Sequence, residues 1–135
     1  MRFRRLVFGC GVVAAAMLAT SSLALAAGGL AGTYTTTVKS PAQLQGKWEI
    51  TFAKGGSYTV RMDGETVARG RYASTATTIT LDRERGSGCT GAGTYAWNMV
   101  ALRRSGRTVT FTKKRESASC QGRALVLSHR FAEVR

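Results

Sequence analysis

From Thr33 onward the chain alternates apolar and polar residues in short runs broken by Gly, Asp and Ser. Such a period of two predicts half-buried strands. Thr33–Val38 (TYTTTV) is β-branched and aromatic. In Lys47–Ala53, Trp48, Ile50 and Phe52 share one face, with Lys47, Glu49 and Thr51 opposite. Lys54-Gly55-Gly56 predicts a hairpin turn into Ser57–Met62, where Tyr58, Val60 and Met62 align. Asp63-Gly64 is the strongest turn signal. Thr66–Tyr72 then places Arg69 and Arg71 outward and Ala68, Gly70 and Tyr72 inward. Thr77–Leu81 offers Ile79 and Leu81. Arg83–Gly93 reads as a Gly-rich loop holding Cys89. Thr94–Leu102 aligns Tyr95, Trp97 and Met99, and Arg107–Lys113 aligns Val109 and Phe111. Gln121–Leu127 is a candidate short helix, Ser40–Gln45 a candidate helical turn, and His129–Val134 a closing strand.

These are eight strands with hairpin-length connections and no βαβ alternation. The fold class expected is all-β: a single eight-stranded antiparallel up-and-down barrel, with a short helical turn before the last strand. Closure removes exposed sheet edges. A sandwich is the alternative.

The N-terminal segment differs from the rest. Arg2, Arg4 and Arg5 precede an uncharged, mostly apolar run from Leu6 to Leu25, and Ala24-Leu25-Ala26 offers small residues two apart. This reads as a secretory signal over 1–26, with a flexible tail over 27–32 and a barrel domain over 33–135. A retained membrane anchor is the alternative. The chain has 135 residues and a formal net charge of +13. Removing the signal takes three Arg and Cys10, leaving 109 residues at +10. No transmembrane segment is then expected, and the chain is expected to be monomeric. Cys89 and Cys120 remain as an even pair in an exported chain, and a disulfide is the expectation.

The charge raises nucleic acid as a partner. Single-strand binding needs aromatics interleaved with cations on one exposed face. Here they take opposite parities, so no nucleic-acid partner is expected and the charge belongs to the exterior. An anionic envelope surface remains a candidate partner.

The order Gly46-Lys47-Trp48, GKWEITFAKGGSYTV (46–60), Asp63-Gly64, GRY (70–72), ITLDRERGSGC (79–89), GTYAW (93–97), TVTFT (108–112) and C-x-x-R (120–123) resembles small exported bacterial lipocalin-like barrels of the calycin type. The resemblance implies that Trp48 packs under one barrel end against an arginine, either Arg123 or Arg130, in a cation–π contact.

Catalytic chemistry is poorly represented. His129 is the single histidine, and no nucleophile or oxyanion motif accompanies it. Asp82 and Glu84, two apart at a strand end, could flank a site, and a solvated loop start is the preferred reading. No cofactor or metal is expected. The sequence therefore predicts a secreted binding protein for a small apolar or amphipathic ligand, and no enzyme. Inward parity nominates Phe52, Tyr58, Val60, Tyr72, Tyr95, Trp97, Met99 and Phe111 as lining. Two further readings are an exported protease inhibitor that uses its N-terminal tail, and an envelope-associated structural protein held by charge.

Overall fold

The computed structural model describes residues 29–104 and 106–135. The signal expected over 1–26, and the first two residues of the tail, lie outside the described residues.

Eight strands close in sequence order into an antiparallel barrel. They are β1 (Gly32–Val38), β2 (Gly46–Phe52), β3 (Ser57–Met62), β4 (Glu65–Ser74), β5 (Thr78–Arg85), β6 (Gly93–Leu102), β7 (Gly106–Arg115) and β8 (Phe131–Glu133). Between β7 and β8 lie a 3-10 turn (Ala118–Cys120) and a helix, α1 (Gln121–Leu127). A second 3-10 turn, Ala42–Leu44, joins β1 to β2. The last strand is short. It closes the barrel through Tyr34↔Glu133 and Thr35↔Ala132 on β1, and through Thr108↔Ala132 and Val109↔Phe131 on β7.

The alternation read from the chain sets the inside. Trp48, Ile50 and Phe52 on β2, Tyr58 and Val60 on β3, and Ala68 and Tyr72 on β4 are all buried. The cations Arg69, Arg71, Arg103, Arg104, Lys113 and Lys114 are exposed. The Asp63-Gly64 turn forms as its residues require, with φ of +50° and +86°, the left-handed pair that matches strand twist in a tight hairpin.

One half of the interior is solid. Phe52 lies 5.1 Å from Tyr72, 6.0 Å from Tyr34 and 6.4 Å from Phe111 between ring centroids, and Phe111 lies 5.9 Å from Phe131. Three of these four contacts are edge-on, and packing of that kind adds about 0.5–1.5 kcal/mol per pair beyond area burial. Leu30, assigned to the flexible tail by the sequence, is fully buried. Its carbonyl accepts a 2.9 Å hydrogen bond from the Tyr34 hydroxyl, so the chain is fixed before β1 begins.

Cys89 and Cys120 lie at disulfide distance, with S–S 1.95 Å and Cα–Cα 4.7 Å. The bridge ties the loop after β5 to the start of α1. Among the described residues no helix is long and apolar enough to cross a membrane.

Candidate functional site

The other half of the interior is hollow. A cavity of about 260 Å³ lies between the inner faces of β2–β5 and α1. Ile50, Phe52, Val60, Ala68 and Leu81 form its strand wall, and Val126 faces it from the helix. Ser87, Ser119 and Gly122, all exposed, stand at its rim. The volume sits just below the roughly 300–1,000 Å³ of common small-molecule sites. At about 30 Å³ per water-sized group, it suits an occupant of on the order of ten non-hydrogen atoms.

The cavity also has a polar side built from Tyr58, Glu84 and Arg123. Glu84 enters because β5 is irregular. Arg69 pairs with Arg85 and Arg71 with Asp82, so the register shifts between β4 and β5. Arg83 takes a left-handed φ of +52°, rare for a residue with a side chain. This is a β-bulge, which reverses the alternation after it. Ile79 and Leu81 point in, Arg83 is exposed, and Glu84 turns inward at 8% exposure. The sequence reading of Glu84 as part of a solvated loop start is thereby corrected, and β5 runs on to Arg85 where a loop was expected.

The Tyr58 hydroxyl donates to Glu84 Oε1 at 2.8 Å, and the Ser87 hydroxyl donates to Oε2. Gly70 lets the tyrosine reach: a Cβ there would stand 2.6 Å from the ring and hydroxyl of Tyr58. Burial, and then the neighbouring Glu84 carboxylate, hold the Tyr58 hydroxyl well above its ordinary pKa.

Arg123 reaches in from α1 with its side chain only 6% exposed. Its Nε and Nη2 donate to Glu116 at 3.0 and 2.6 Å, and Nη2 also donates to the Gly91 carbonyl at 2.9 Å. Tyr95 donates its hydroxyl to the same Glu116 carboxylate. Gly93 keeps the space open, since a Cβ there would stand 2.5 Å from Glu116 Oε2. Desolvation alone would lower the Arg123 pKa; the hydrogen bonds and charge of Glu116 outweigh it and raise it. The guanidinium is thus charged and fixed in orientation. Its remaining nitrogen, Nη1, is buried with no hydrogen-bond partner among the described residues. Glu84 Oε1 stands 3.9 Å from it, an ion-pair contact beyond hydrogen-bond reach. Leaving a buried donor unpaired costs about 1–3 kcal/mol, and more on a charged group.

Of the eight residues nominated as lining, Phe52, Tyr58 and Val60 line the cavity. Tyr72, Tyr95 and Phe111 are buried in the solid core instead. Trp97 and Met99 are half-buried and pack against that core from β6. The Trp97 indole donates to the carbonyls of Thr75 and Thr78 at 3.1 and 3.2 Å. Trp48 also lines the cavity, and its indole donates to the Leu44 carbonyl at 2.7 Å. Of the two arginines considered for it, Arg123 lines the same cavity, while Arg130 is exposed on an outer groove beside Asn98 and Val100. The Arg123 guanidinium is held by the Glu116 carboxylate. Both disulfide cysteines border the cavity. His129 lies beyond α1, with Nδ1 3.0 Å from the Leu125 carbonyl.

Missing from the sequence reading were the inward turn of Glu84, the buried Glu116 carboxylate and the buried ion pair of Arg123. The C-x-x-R spacing was a signal for the last. Among the described residues no group of three His, Cys, Asp or Glu side chains is arranged to hold a metal. Comparison of the chain with protein-family models, curated proteins and solved structures found no match.

Proposed function

We propose that the protein is an exported binding protein that holds a small, mainly apolar molecule in the hollow half of its barrel. The observation that carries this reading is the cavity of about 260 Å³, apolar over most of its wall, with one buried guanidinium nitrogen left without a hydrogen bond. A native interior is normally filled to near-crystalline density, and buried polar groups are normally paired. A cavity that departs from both rules, at one place, suits a ligand. The site binds without turnover: its polar side chains are engaged with one another, and His129 stands apart from it. Export is supported by the N-terminal pattern and by the Cys89–Cys120 bridge, and predicts a mature chain beginning near Ala27.

Trp48 borders the cavity and reports on it. Titration with small apolar molecules should shift its emission. Ala68→Leu, which adds bulk to the cavity wall, should abolish that shift while the protein stays folded. Retained binding in Ala68→Leu would move the ligand elsewhere.

A further inference from the structure

The polar side of the cavity is built from groups of opposite charge. Arg123 and Glu84 border the cavity together: Arg123 Nη1 is a buried donor without a hydrogen bond, and Glu84 Oε1, its ion-pair neighbour, is an acceptor. Neither can move to meet the other. Glu116 and the Gly91 carbonyl fix the guanidinium through Nε and Nη2. Tyr58 and Ser87 fix the Glu84 carboxylate. The two atoms stand 3.9 Å apart. A single oxygen at an ordinary hydrogen-bond distance of about 2.8 Å from each spans that gap.

An oxygen in that place must accept from Nη1 and donate to Oε1. A hydroxyl does both. A carboxylate accepts only. It would satisfy Nη1 but set a second negative oxygen against Glu84, in a cluster where two carboxylates already face one guanidinium. An ammonium donates only, and would be set against Arg123. The wall beside this pair is apolar, so the rest of the molecule is hydrocarbon.

We propose that the cavity selects a neutral hydroxyl-bearing molecule of on the order of ten non-hydrogen atoms, with its hydroxyl bridging Arg123 and Glu84, and that it rejects the carboxylate and ammonium analogues. The inference rests on the cavity being a binding site.

The test compares 1-octanol, octanoate and octylammonium, which share a chain and differ in the head group. Each is titrated into the mature, disulfide-bonded protein by Trp48 emission and calorimetry, at a pH where both charged probes are ionised. Octanol should bind about tenfold or more tightly than either ion, the discrimination expected when a buried charge meets an unmatched one. Glu84→Gln removes the negative charge and keeps an acceptor for Tyr58. It should tighten octanoate by about tenfold relative to octanol, whose own hydrogen bond to this position becomes weaker.

If octanoate binds native protein as tightly as octanol, or Glu84→Gln leaves their ratio unchanged, the head-group assignment is wrong and the binding reading stands. If none of the three binds, the binding reading fails and takes this one with it. The native comparison needs no variant, so it decides even if Glu84→Gln fails to fold.

Discussion

Arg123 and Glu116 meet side by side, with Nε and Nη2 3.0 and 2.6 Å from the two carboxylate oxygens. Their side chains are 6% and 1% exposed. Removing either partner strands the other charge away from water. Glu116→Ala or Arg123→Met should each cost about 3–5 kcal/mol, and the double variant Arg123→Met/Glu116→Leu clearly less than the sum. Urea unfolding of the three proteins measures this. The pair also sets an acid limit. Burial alone would raise the Glu116 pKa, but its bonds to Arg123, Tyr95 and the Ser117 amide outweigh that and hold it below 4.5. Its contribution is complete above that value and is lost as pH falls through the lower folded one.

Two glycines are spaces rather than hinges. At Gly93 a Cβ would stand 2.5 Å from Glu116 and 2.7 Å from Arg123; at Gly70 it would stand 2.6 Å from Tyr58. Gly93→Ala and Gly70→Ala should each lose about 1–3 kcal/mol by overpacking. Gly55 meets nothing within 4 Å, so Gly55→Ala should leave the thermal midpoint nearly unchanged and serves as the control.

All four tyrosines of the chain are raised above 10.0, Tyr34, Tyr58, Tyr72 and Tyr95 alike, with desolvation the largest cause in each. A raised folded pKa means that the unfolded chain releases these protons first. Stability should therefore be unaffected by tyrosine below pH 10.0 and fall as pH rises beyond it. Alkaline titration by tyrosinate absorbance should show one cooperative step coincident with loss of near-ultraviolet circular dichroism. Independent ionisation of tyrosines in a folded protein would contradict this.

The Cys89–Cys120 bridge closes a sequence separation of 31 residues. Its loss in Cys89→Ser/Cys120→Ser should cost roughly 3–4 kcal/mol by the chain-entropy estimate. Both positions border the cavity, so the double variant should also weaken any probe seen by Trp48. Guanidinium unfolding and the octanol titration measure the two effects separately.

The eight strands were legible because each rests on local signals: β-branched runs, a strict alternation, and turns such as Asp63-Gly64. The solid core was legible for the same reason. The hollow half was not. Phe52, Tyr58 and Val60 share an inward parity with Tyr72, Tyr95 and Phe111, and parity says nothing about which inward residues meet a neighbour. Trp97 and Met99 fell short of the interior because β6 pairs with β5 only as far as Ala96 in the ladder. Beyond it, the β6–β7 ribbon runs on with that side open. Glu84 was hidden by the Arg83 bulge, which alternation cannot foresee. Leu30 was hidden because its burial goes with a hydrogen bond from Tyr34, which strand parity does not foresee.

That bulge makes the polar side of the cavity a local edit. Up to Leu81 the β5 strand delivers only aliphatic side chains to the interior, and one inserted residue decides whether a carboxylate counts as surface or as lining. Regular pairing of β5, with Arg83 alone opposite Gly70, would set Glu84 opposite Arg69 and return it to solvent without altering another strand. The barrel's architecture and the carboxylate inside it thus rest on different parts of the chain: the first is distributed over eight alternating segments, and the second turns on a single peptide unit.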